Sequence, residues 1–236
     1  MKSIFEAFKR ALSPQRCAYC GRVISAQKLM CAECEKILPR IKKETCRKCG
    51  REKEFCFCNG ENYHSGTVAP FYFEGVVRKG MHAYKFRKSP QNYEAYAEET
   101  AKAVKGKFGE IKFDFILPVP MTKKSVSKRG YNQVELLADK IGELISVECR
   151  KDILVKLYET EAQHGLSYIY RKGNLLGVFD VSDGDAVKDK TVLLCDDIST
   201  SGETFNECAK MLWLYGAKEI YCTATALTKP KKKAEK

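Results

Sequence analysis

The first 58 residues contain eight cysteines in four closely spaced pairs, and this pattern constrains the fold more than any other feature of the chain: Cys17, Cys20, Cys31, Cys34, Cys46, Cys49, Cys56 and Cys58. A spacing of one or two residues lets a tight turn direct two thiolates at one tetrahedral zinc ion, and two such turns complete a four-ligand site. Segments this short and polar fold only with metal bound. The pattern therefore predicts two structural zinc ions, each with its coordination closed.

Spacing alone does not determine which two cysteine pairs bind the same zinc ion. Their order favours two consecutive sites, one made by the first two pairs and one by the last two, but an interleaved arrangement is also compatible with it. The last pair, Cys56-x-Cys58, has one intervening residue instead of two, and His64 is close enough in sequence to replace Cys58. We expect four cysteines in each site.

From about residue 61 onward, short apolar runs alternate with helix-period patterns, which is typical of a sheet with crossover helices. Apolar stripes at helical spacing run from Val134 to Ile145 and from Phe205 to Leu212, and Gly216 is placed to end the second helix. The candidate strands are Val68–Phe73, Phe113–Val119, Thr191–Cys195 and Glu219–Ala226.

The chain has 236 residues, 44% of them hydrophobic, which is enough to bury a sizeable core. We expect an α/β fold in which a parallel sheet with flanking helices follows a small zinc module. The predicted boundaries are residues 1–60 for an N-terminal helix and the zinc module, 61–228 for the α/β domain, and 229–236 for a disordered basic tail.

The segment VLLCDDISTSGETF, from Val192 to Phe205, predicts a ligand site. Four apolar residues are typical of an inner parallel strand, and ligands of such sheets bind beyond the carboxyl ends of the strands, where Asp196 and Asp197 fall. Carboxylates accept hydrogen bonds from vicinal sugar hydroxyls, and hydroxyls and backbone N–H groups at a helix N-terminus suit a phosphate. The segment thus indicates a phosphorylated ribose, and the alternative is an acidic turn that caps a helix. The remaining candidates are Ser199, Thr200, Ser201, Gly202, Glu203 and Thr204.

This segment resembles the PRPP-binding motif of type I phosphoribosyltransferases. Two further segments, LPVPMTKKSVSKRGYNQVELLA (residues 117–138) and TEAQHGLSYIYRKGNLLGVF (residues 160–179), together with the cysteine-rich start, resemble the ComF family. Proteins of that family join a zinc ribbon to a phosphoribosyltransferase-type domain and are associated with DNA uptake in natural competence. The resemblance implies a type I phosphoribosyltransferase-like fold behind a double zinc ribbon.

The resemblance also implies roles for individual residues. Asp196 and Asp197 would hold the ribose hydroxyls, residues 200–204 the 5′-phosphate, and Mg²⁺ would accompany PRPP. The stretch after the strand that ends in Pro118-Val119-Pro120 corresponds to a pyrophosphate loop, although Asn132 is also placed to cap the following helix. The residues implied for that loop and for the mobile loop over PRPP are Lys128, Arg129, Gly130, Asn132, Gln133, Thr160, Gln163 and Arg171.

A basic surface favours a polyanionic partner. The chain carries a formal charge of +12, and residues 1–60 hold 14 Lys and Arg against 6 Asp and Glu. Two zinc ions with eight thiolates lower the charge of that segment to about +4. We expect modest binding of single-stranded DNA without sequence preference, with phosphate contacts from Lys42, Lys43, Arg47 and Lys48.

The sequence shows no signal peptide and no run long enough to span a bilayer, which predicts a cytoplasmic protein. An apolar helical face within residues 1–13 allows at most peripheral membrane contact. The predicted function is binding of PRPP and single-stranded DNA in support of DNA uptake, with other uptake proteins as partners. The alternatives are an active phosphoribosyltransferase with an unknown acceptor and a PRPP-sensing regulator without turnover, so enzyme status stays open.

Overall fold

The computed structural model describes residues 14–58, 62–86, 92–157 and 178–230. A five-stranded parallel sheet forms the centre, in the order β1-β7-β6-β3, and β2 also pairs with β7. A two-stranded antiparallel hairpin, β4-β5, lies apart from it. The strands are β1 (Gly66–Val68), β2 (Phe71–Tyr72), β3 (Phe115–Pro118), β4 (Leu154–Lys156), β5 (Phe179–Val181), β6 (Thr191–Ser199) and β7 (Glu219–Leu227).

Helices cover both faces of the sheet. Along β6, Leu193 faces a core built with α3 and α5, whereas Val192 and Leu194 face a second core built with α6. This alternation follows from the two-residue period of a strand, and it explains why every residue from 191 to 195 is buried. The helices are α1 (Ala32–Lys36), α2 (Gly75–Phe86), α3 (Tyr93–Phe108), α4 (Lys123–Arg129), α5 (Gln133–Ile145) and α6 (Glu203–Leu214), with a 3₁₀ turn at Lys53–Phe55.

The predicted parallel sheet and both predicted helices are confirmed. The helix α6 is followed by Tyr215 and by Gly216 with a φ of +85°, so glycine supplies the left-handed residue that ends it. The predicted strand Val68–Phe73 is divided into β1 and β2, because Pro70 lies between them and has no N–H group to donate to the ladder.

The predicted end of β6 is wrong. The strand continues through Asp196 and Asp197 to Ser199, because β7 runs beside it and pairs as far as Leu227. The low strand propensity of aspartate suggested an earlier end, and pairing with a long neighbour overrides that propensity. On the other side β3 stops at Pro118, opposite Cys195, so the two aspartates project beyond the end of the neighbouring strand.

The cysteine-rich segment contains two similar knuckles. We call residues 16–36 ribbon one and residues 45–58 ribbon two. In each ribbon the first cysteine donates its N–H across the turn, Cys17 to the carbonyl of Arg22 at 2.8 Å and Cys46 to that of Arg51 at 2.7 Å. Both ribbons lie against the α/β domain, but through different contacts. Among the described residues, no helix has both the length and the apolar character that a membrane span requires.

Candidate functional site

Each ribbon brings four thiols together in sequence order. The groups are Cys17, Cys20, Cys31 and Cys34, and Cys46, Cys49, Cys56 and Cys58, and within each group all four sulfurs lie within 4.8 Å of one another. Four thiolates about 2.3 Å from a tetrahedral zinc ion are about 3.8 Å apart. The Sγ atoms of Cys20 and Cys31 are 3.8 Å apart, and those of Cys49 and Cys56 are also 3.8 Å apart.

The chemistry and spacing of these groups fit zinc, and they support two structural zinc ions. Cys58 completes the second group, with its Sγ 3.9 Å from that of Cys46, so His64 is not needed as a ligand. In the first group, the N–H of Cys31 donates to the Sγ of Cys17 at 3.5 Å. The guanidinium of Arg22 lies 3.8 Å from the Sγ of Cys31, where its charge offsets the negative charge of the thiolates.

A cleft of about 940 Å³ opens where β3 and β6 end. Asp196, Asp197 and Thr204 line it on one side, and Gln133 lines it from α5. Cationic side chains from several elements complete the lining, namely Lys85, Lys124, Lys128, Arg129 and Lys156. The cleft therefore joins two carboxylates to a larger number of cations, which suits a ligand with both hydroxyl groups and phosphates.

Asp197 is held in a fixed orientation. Its residue is 4% exposed, its Oδ1 accepts from Lys85 Nζ at 2.7 Å, and its Oδ2 accepts from Gln133 Nε2 at 3.1 Å. A carboxylate offers about four lone-pair directions, so these two bonds leave acceptor capacity for a ligand. The buried Gln133 Oε1 has no hydrogen-bond partner among the described residues, which leaves a further acceptor at this site.

Asp196 is in an unfavourable electrostatic position. Burial, and next the charge of Asp197, raise the pKa of Asp196 well above its usual range, and Lys85 opposes this shift. Its Oδ1 accepts from the N–H of Asp197 at 2.7 Å. Because both carboxylates line one cleft, a ligand or cation that binds there would offset their repulsion, and such a raised pKa is typical of a binding site.

Tyrosines position the groups that contact Asp197. The hydroxyl of Tyr84 donates to the carbonyl of Gln133 at 2.6 Å, and the hydroxyl of Tyr131 donates to the carbonyl of Tyr84. Lys85 follows Tyr84 on α2, so this network ties α2 to the start of α5. The sequence predicted Gln133 but missed Lys85, which lies 112 residues from its partner and has no local motif.

The segment from Ser199 to Thr204, which we call the phosphate loop, connects β6 to α6. Gly202 has a φ of +94° and precedes the first residue of the 12-residue helix, and Thr204 lies in the first turn and lines the cleft. The N-terminus of a helix presents unpaired N–H groups and a partial positive charge. The loop and the helix start therefore have the backbone groups and partial charge that suit an anion beside the carboxylates.

The predicted pyrophosphate residues lie at the opposite wall. Lys128 and Arg129 line the cleft from the last turn of α4, which Gly130 ends with a φ of +82°. Asn132 is the N-cap of α5, since its Oδ1 accepts from the N–H groups of Val134 at 3.1 Å and Glu135 at 3.3 Å. The capping role considered for Asn132 is thus the one that the structure shows.

The remaining candidates are distributed elsewhere. Thr160, Gln163 and Arg171 lie outside the described residues. The four basic residues predicted to contact DNA are all exposed, and Lys43 pairs with Glu54 at 2.8 Å. The structure does not bring those four residues into the cleft; they are Lys42, Lys43, Arg47 and Lys48.

Comparison with known proteins agrees with both parts of the chain. Residues 8–65 match the Double zinc ribbon domain family, and residues 94–236 match the Phosphoribosyl transferase domain family. Competence protein F of Haemophilus influenzae is 26% identical over 217 residues, which cover 87% of this chain and 93% of that protein.

Two other relatives have similar identity. Competence protein ComFC of Streptococcus pneumoniae is 27% identical over 198 residues, covering 81% of this chain and 84% of that protein. The DNA utilization protein YhgH of Escherichia coli is 28% identical over 116 residues, covering 48% of this chain and 50% of that protein. With its parallel sheet and acidic strand end, the chain belongs to the phosphoribosyltransferase family; it carries a double zinc ribbon ahead of that domain and is similar over most of its length to Competence protein F and ComFC.

Proposed function

We propose that the cleft binds PRPP together with Mg²⁺. The observation that carries this proposal is the adjacent pair Asp196 and Asp197, held at the end of a buried strand directly before a helix N-terminus. A phosphate alone would be repelled by two carboxylates. A ribose with vicinal hydroxyls and a metal-bound pyrophosphate uses them, which explains why acids and cations share one cleft.

Each part of PRPP has complementary groups in the lining of the cleft. The carboxylates accept hydrogen bonds from the ribose hydroxyls, and the phosphate loop with the start of α6 receives the 5′-phosphate. Lys124, Lys128 and Arg129 face the pyrophosphate, and guanidinium and ammonium groups suit that dense charge. Asp196 and Asp197 would hold the Mg²⁺, whose positive charge would offset their mutual repulsion and that of the pyrophosphate.

Titration with PRPP and Mg²⁺ tests the proposal. Asp197→Asn keeps the shape of the side chain but removes its charge, so we expect affinity to fall about 10- to 100-fold. Thr204→Ala removes one hydroxyl, and we expect a loss of about fivefold. Asp185→Asn changes an exposed carboxylate outside the cleft and is the matched control. Unchanged affinity in both cleft variants would reassign the motif to a helix cap.

Turnover is decided by a second assay on the same protein. Transfer would break the bond from C1 to the pyrophosphate oxygen, with the electron pair leaving on pyrophosphate, and join C1 to an acceptor. Release of pyrophosphate that depends on a candidate acceptor would support a phosphoribosyltransferase. If the protein binds PRPP but releases no pyrophosphate with any acceptor tested, the result would support a sensor of PRPP.

We further propose that the chain binds single-stranded DNA in support of DNA uptake, in line with relatives named for competence and DNA utilization. The structural support is an aromatic pair on the side of the domain near β7, the exposed Trp213 and the half-buried Tyr63. Trp213 is 55% exposed, its ring lies 5.6 Å from that of Tyr63, and Lys210 Nζ lies 5.9 Å from the Tyr63 ring centroid. Bases stack on such rings while lysines contact phosphates.

Anisotropy titrations with a labelled single-stranded oligonucleotide test this role. Replacing Lys42, Lys43, Arg47 and Lys48 by alanine should reduce the slope of log affinity against log salt by about 3, because each lost phosphate contact removes about 0.7. Trp213→Ala should weaken binding about tenfold through lost stacking, whereas the neighbouring exposed Leu214→Ala should not. Equal affinity and equal slope in all variants would contradict these contacts.

A further inference from the structure

A buried arginine joins ribbon two to the phosphate loop. Arg51 lies between the cysteine pairs of ribbon two, and only 1% of the residue is exposed. Its Nε donates to the carbonyl oxygen of Thr228 at 2.7 Å, and its Nη2 donates to the carbonyl oxygen of Thr200. Arginine is rarely buried this fully without specific partners, and here both partners are backbone groups of the other domain.

Ribbon two holds Arg51 on its own side. The carbonyl of Arg51 accepts from the N–H of Cys46, which closes the knuckle, and its guanidinium stacks on the ring of Phe57, with 4.4 Å from Cζ to the ring centroid. Gly50 lets the knuckle approach β1, because a Cβ there would lie 2.8 Å from the Thr67 carbonyl oxygen. The position of Arg51 therefore depends on the folded, metal-bound ribbon.

The contact with Thr200 fixes the direction of a peptide plane in the phosphate loop. The carbonyl oxygen of Thr200 also accepts from the Thr228 hydroxyl at 3.2 Å, so it is held from two sides. A trans peptide directs its C=O and N–H to opposite sides. Holding the Thr200 carbonyl toward ribbon two therefore turns the N–H of Ser201 away from it, in the loop that leads into the N-terminus of α6, where N–H groups bind anions.

We propose that Arg51 is a positioning residue through which ribbon two sets the geometry of the phosphate loop and so its affinity for a phosphate monoester. The inference rests on the proposed function of the cleft and specifies which part of PRPP ribbon two controls. The guanidinium also adds positive charge behind the loop, which favours an anion in front of it. By linkage, zinc in ribbon two raises the affinity for a ligand whose phosphate occupies the loop, and that ligand raises the affinity of ribbon two for zinc by the same factor.

The test separates the two ends of PRPP. Calorimetric titrations of the zinc-loaded full chain use ribose 5-phosphate, which reports on the loop, and pyrophosphate with Mg²⁺, which reports on the opposite wall. Arg51→Met should weaken ribose 5-phosphate binding about tenfold, as expected for lost hydrogen bonds to a charged group, and change pyrophosphate binding less than about twofold.

Two further variants show whether geometry or charge matters. Arg51→Lys keeps the charge but cannot reach both carbonyls with a planar fork. Its affinity for ribose 5-phosphate should therefore be no more than about threefold higher than that of Arg51→Met. Lys53→Met is the matched control, because Lys53 lies in the same ribbon and its side chain is exposed and pairs with Glu44 at 2.9 Å. It should bind both ligands as the wild type does.

Phe57→Leu keeps the test decisive if Arg51→Met does not fold. This change removes the ring under the guanidinium but keeps its hydrogen-bond partners, and should weaken ribose 5-phosphate binding about two- to threefold. Wild-type affinity for ribose 5-phosphate in folded Arg51→Met, or in Phe57→Leu if the former is unfolded, would overturn the proposal, as would equal losses for both ligands. A wild-type protein that binds neither ligand would contradict the proposed function of the cleft instead.

Discussion

The two zinc ribbons share a pattern of ligands but differ in how they join the rest of the molecule. The cysteine cluster of ribbon one is largely buried, with Cys17 and Cys34 at 2% and 1% exposure, and the ribbon packs on the domain through rings: Tyr19 lies 5.4 Å from Tyr96 and 6.0 Å from Phe71. Ribbon two leaves Cys56 and Cys58 exposed. Its deepest contact is polar, from Arg51 to the phosphate loop.

This difference indicates that one metal-binding pattern serves two purposes. Ribbon one belongs to the core that also contains α2, α3 and α5, so its zinc contributes to folding of the domain. In the described part of the chain, ribbon two adds no residue to either core and makes one ring–ring contact with the domain, Phe55 with Tyr72 at 5.6 Å, and its Arg51 orders a loop at the ligand site. Removing the zinc of ribbon one and removing the zinc of ribbon two should therefore affect different properties of the protein.

The largest expected effect separates the two zinc sites. Cys34→Ser removes a buried ligand of ribbon one, and since structural zinc contributes on the order of 10 kcal/mol to such modules, the domain should unfold or lose more than about 10 °C in Tm. Cys58→Ser should lower the zinc content from about two to about one with the sheet intact. Metal analysis, circular dichroism and thermal scans measure this. Equal destabilisation by both changes would contradict the comparison.

A smaller effect tests the packing of ribbon one on α2. A Cβ at Gly80 would lie 2.5 Å from the carbonyl oxygen of Ala18 and 2.5 Å from the hydroxyl of Tyr96. Gly80→Ala should therefore destabilise the protein by about 1–3 kcal/mol, although alanine favours a helix. Gly106→Ala on α3 has open space and should stabilise by about 0.5–1 kcal/mol. Similar unfolding free energies for the two variants would mean that ribbon one does not pack closely here.

Asp196 lies outside both ribbons, and replacing it should raise the stability of the protein, whereas the zinc-ligand changes lower it. Because its pKa is raised in the folded protein, folding favours its protonated form, and ionisation costs stability as the pH rises above the unfolded value of about 4. Asp196→Asn should therefore raise Tm by about 2–4 °C at pH 8, with a smaller gain near pH 5, and abolish PRPP binding. A gain that does not depend on pH would show that ionisation is not the cause.

The smallest expected effect comes from two hydroxyl groups where ribbon one meets α3, those of Tyr19 in the ribbon and Tyr96 on the helix. The hydroxyl of Tyr96 donates to the Ala18 carbonyl at 2.9 Å, so Tyr96→Phe should cost about 1 kcal/mol. The buried hydroxyl of Tyr19 has no partner among the described residues, so Tyr19→Phe should be neutral or slightly stabilising. Denaturant titrations of both variants give the comparison. A larger loss of unfolding free energy in Tyr19→Phe than in Tyr96→Phe would show that the Tyr19 hydroxyl makes the stronger hydrogen bond and would contradict this expectation.

Much of the fold followed from local patterns in the sequence. Cysteine spacing predicted both clusters, and the apolar run before Asp196 predicted an inner parallel strand, because ligand turns and strand burial depend on neighbouring residues. The full length of β6 could not be predicted from its local sequence, because the end of the strand is set by pairing with β7. Strand propensity alone could not show that.

The residues that act across the fold were not predictable in this way. Lys85 reaches Asp197 from a helix 112 residues earlier, and nothing in the local sequence of α2 distinguishes it from other lysines. Arg51 is one of many basic residues in a polar segment, and its burial results from docking of ribbon two on the α/β domain. Local spacing carries no information on such contacts.

The central claim is that ribbon two orders the phosphate loop, and hydrogen exchange of Cys58→Ser with one zinc bound tests it most directly. We predict faster exchange of residues 199–205 than in the two-zinc protein, unchanged protection of residues 192–195 in β6, and weaker binding of ribose 5-phosphate. Unchanged exchange in residues 199–205, together with unchanged affinity for ribose 5-phosphate after loss of the second zinc, would contradict it.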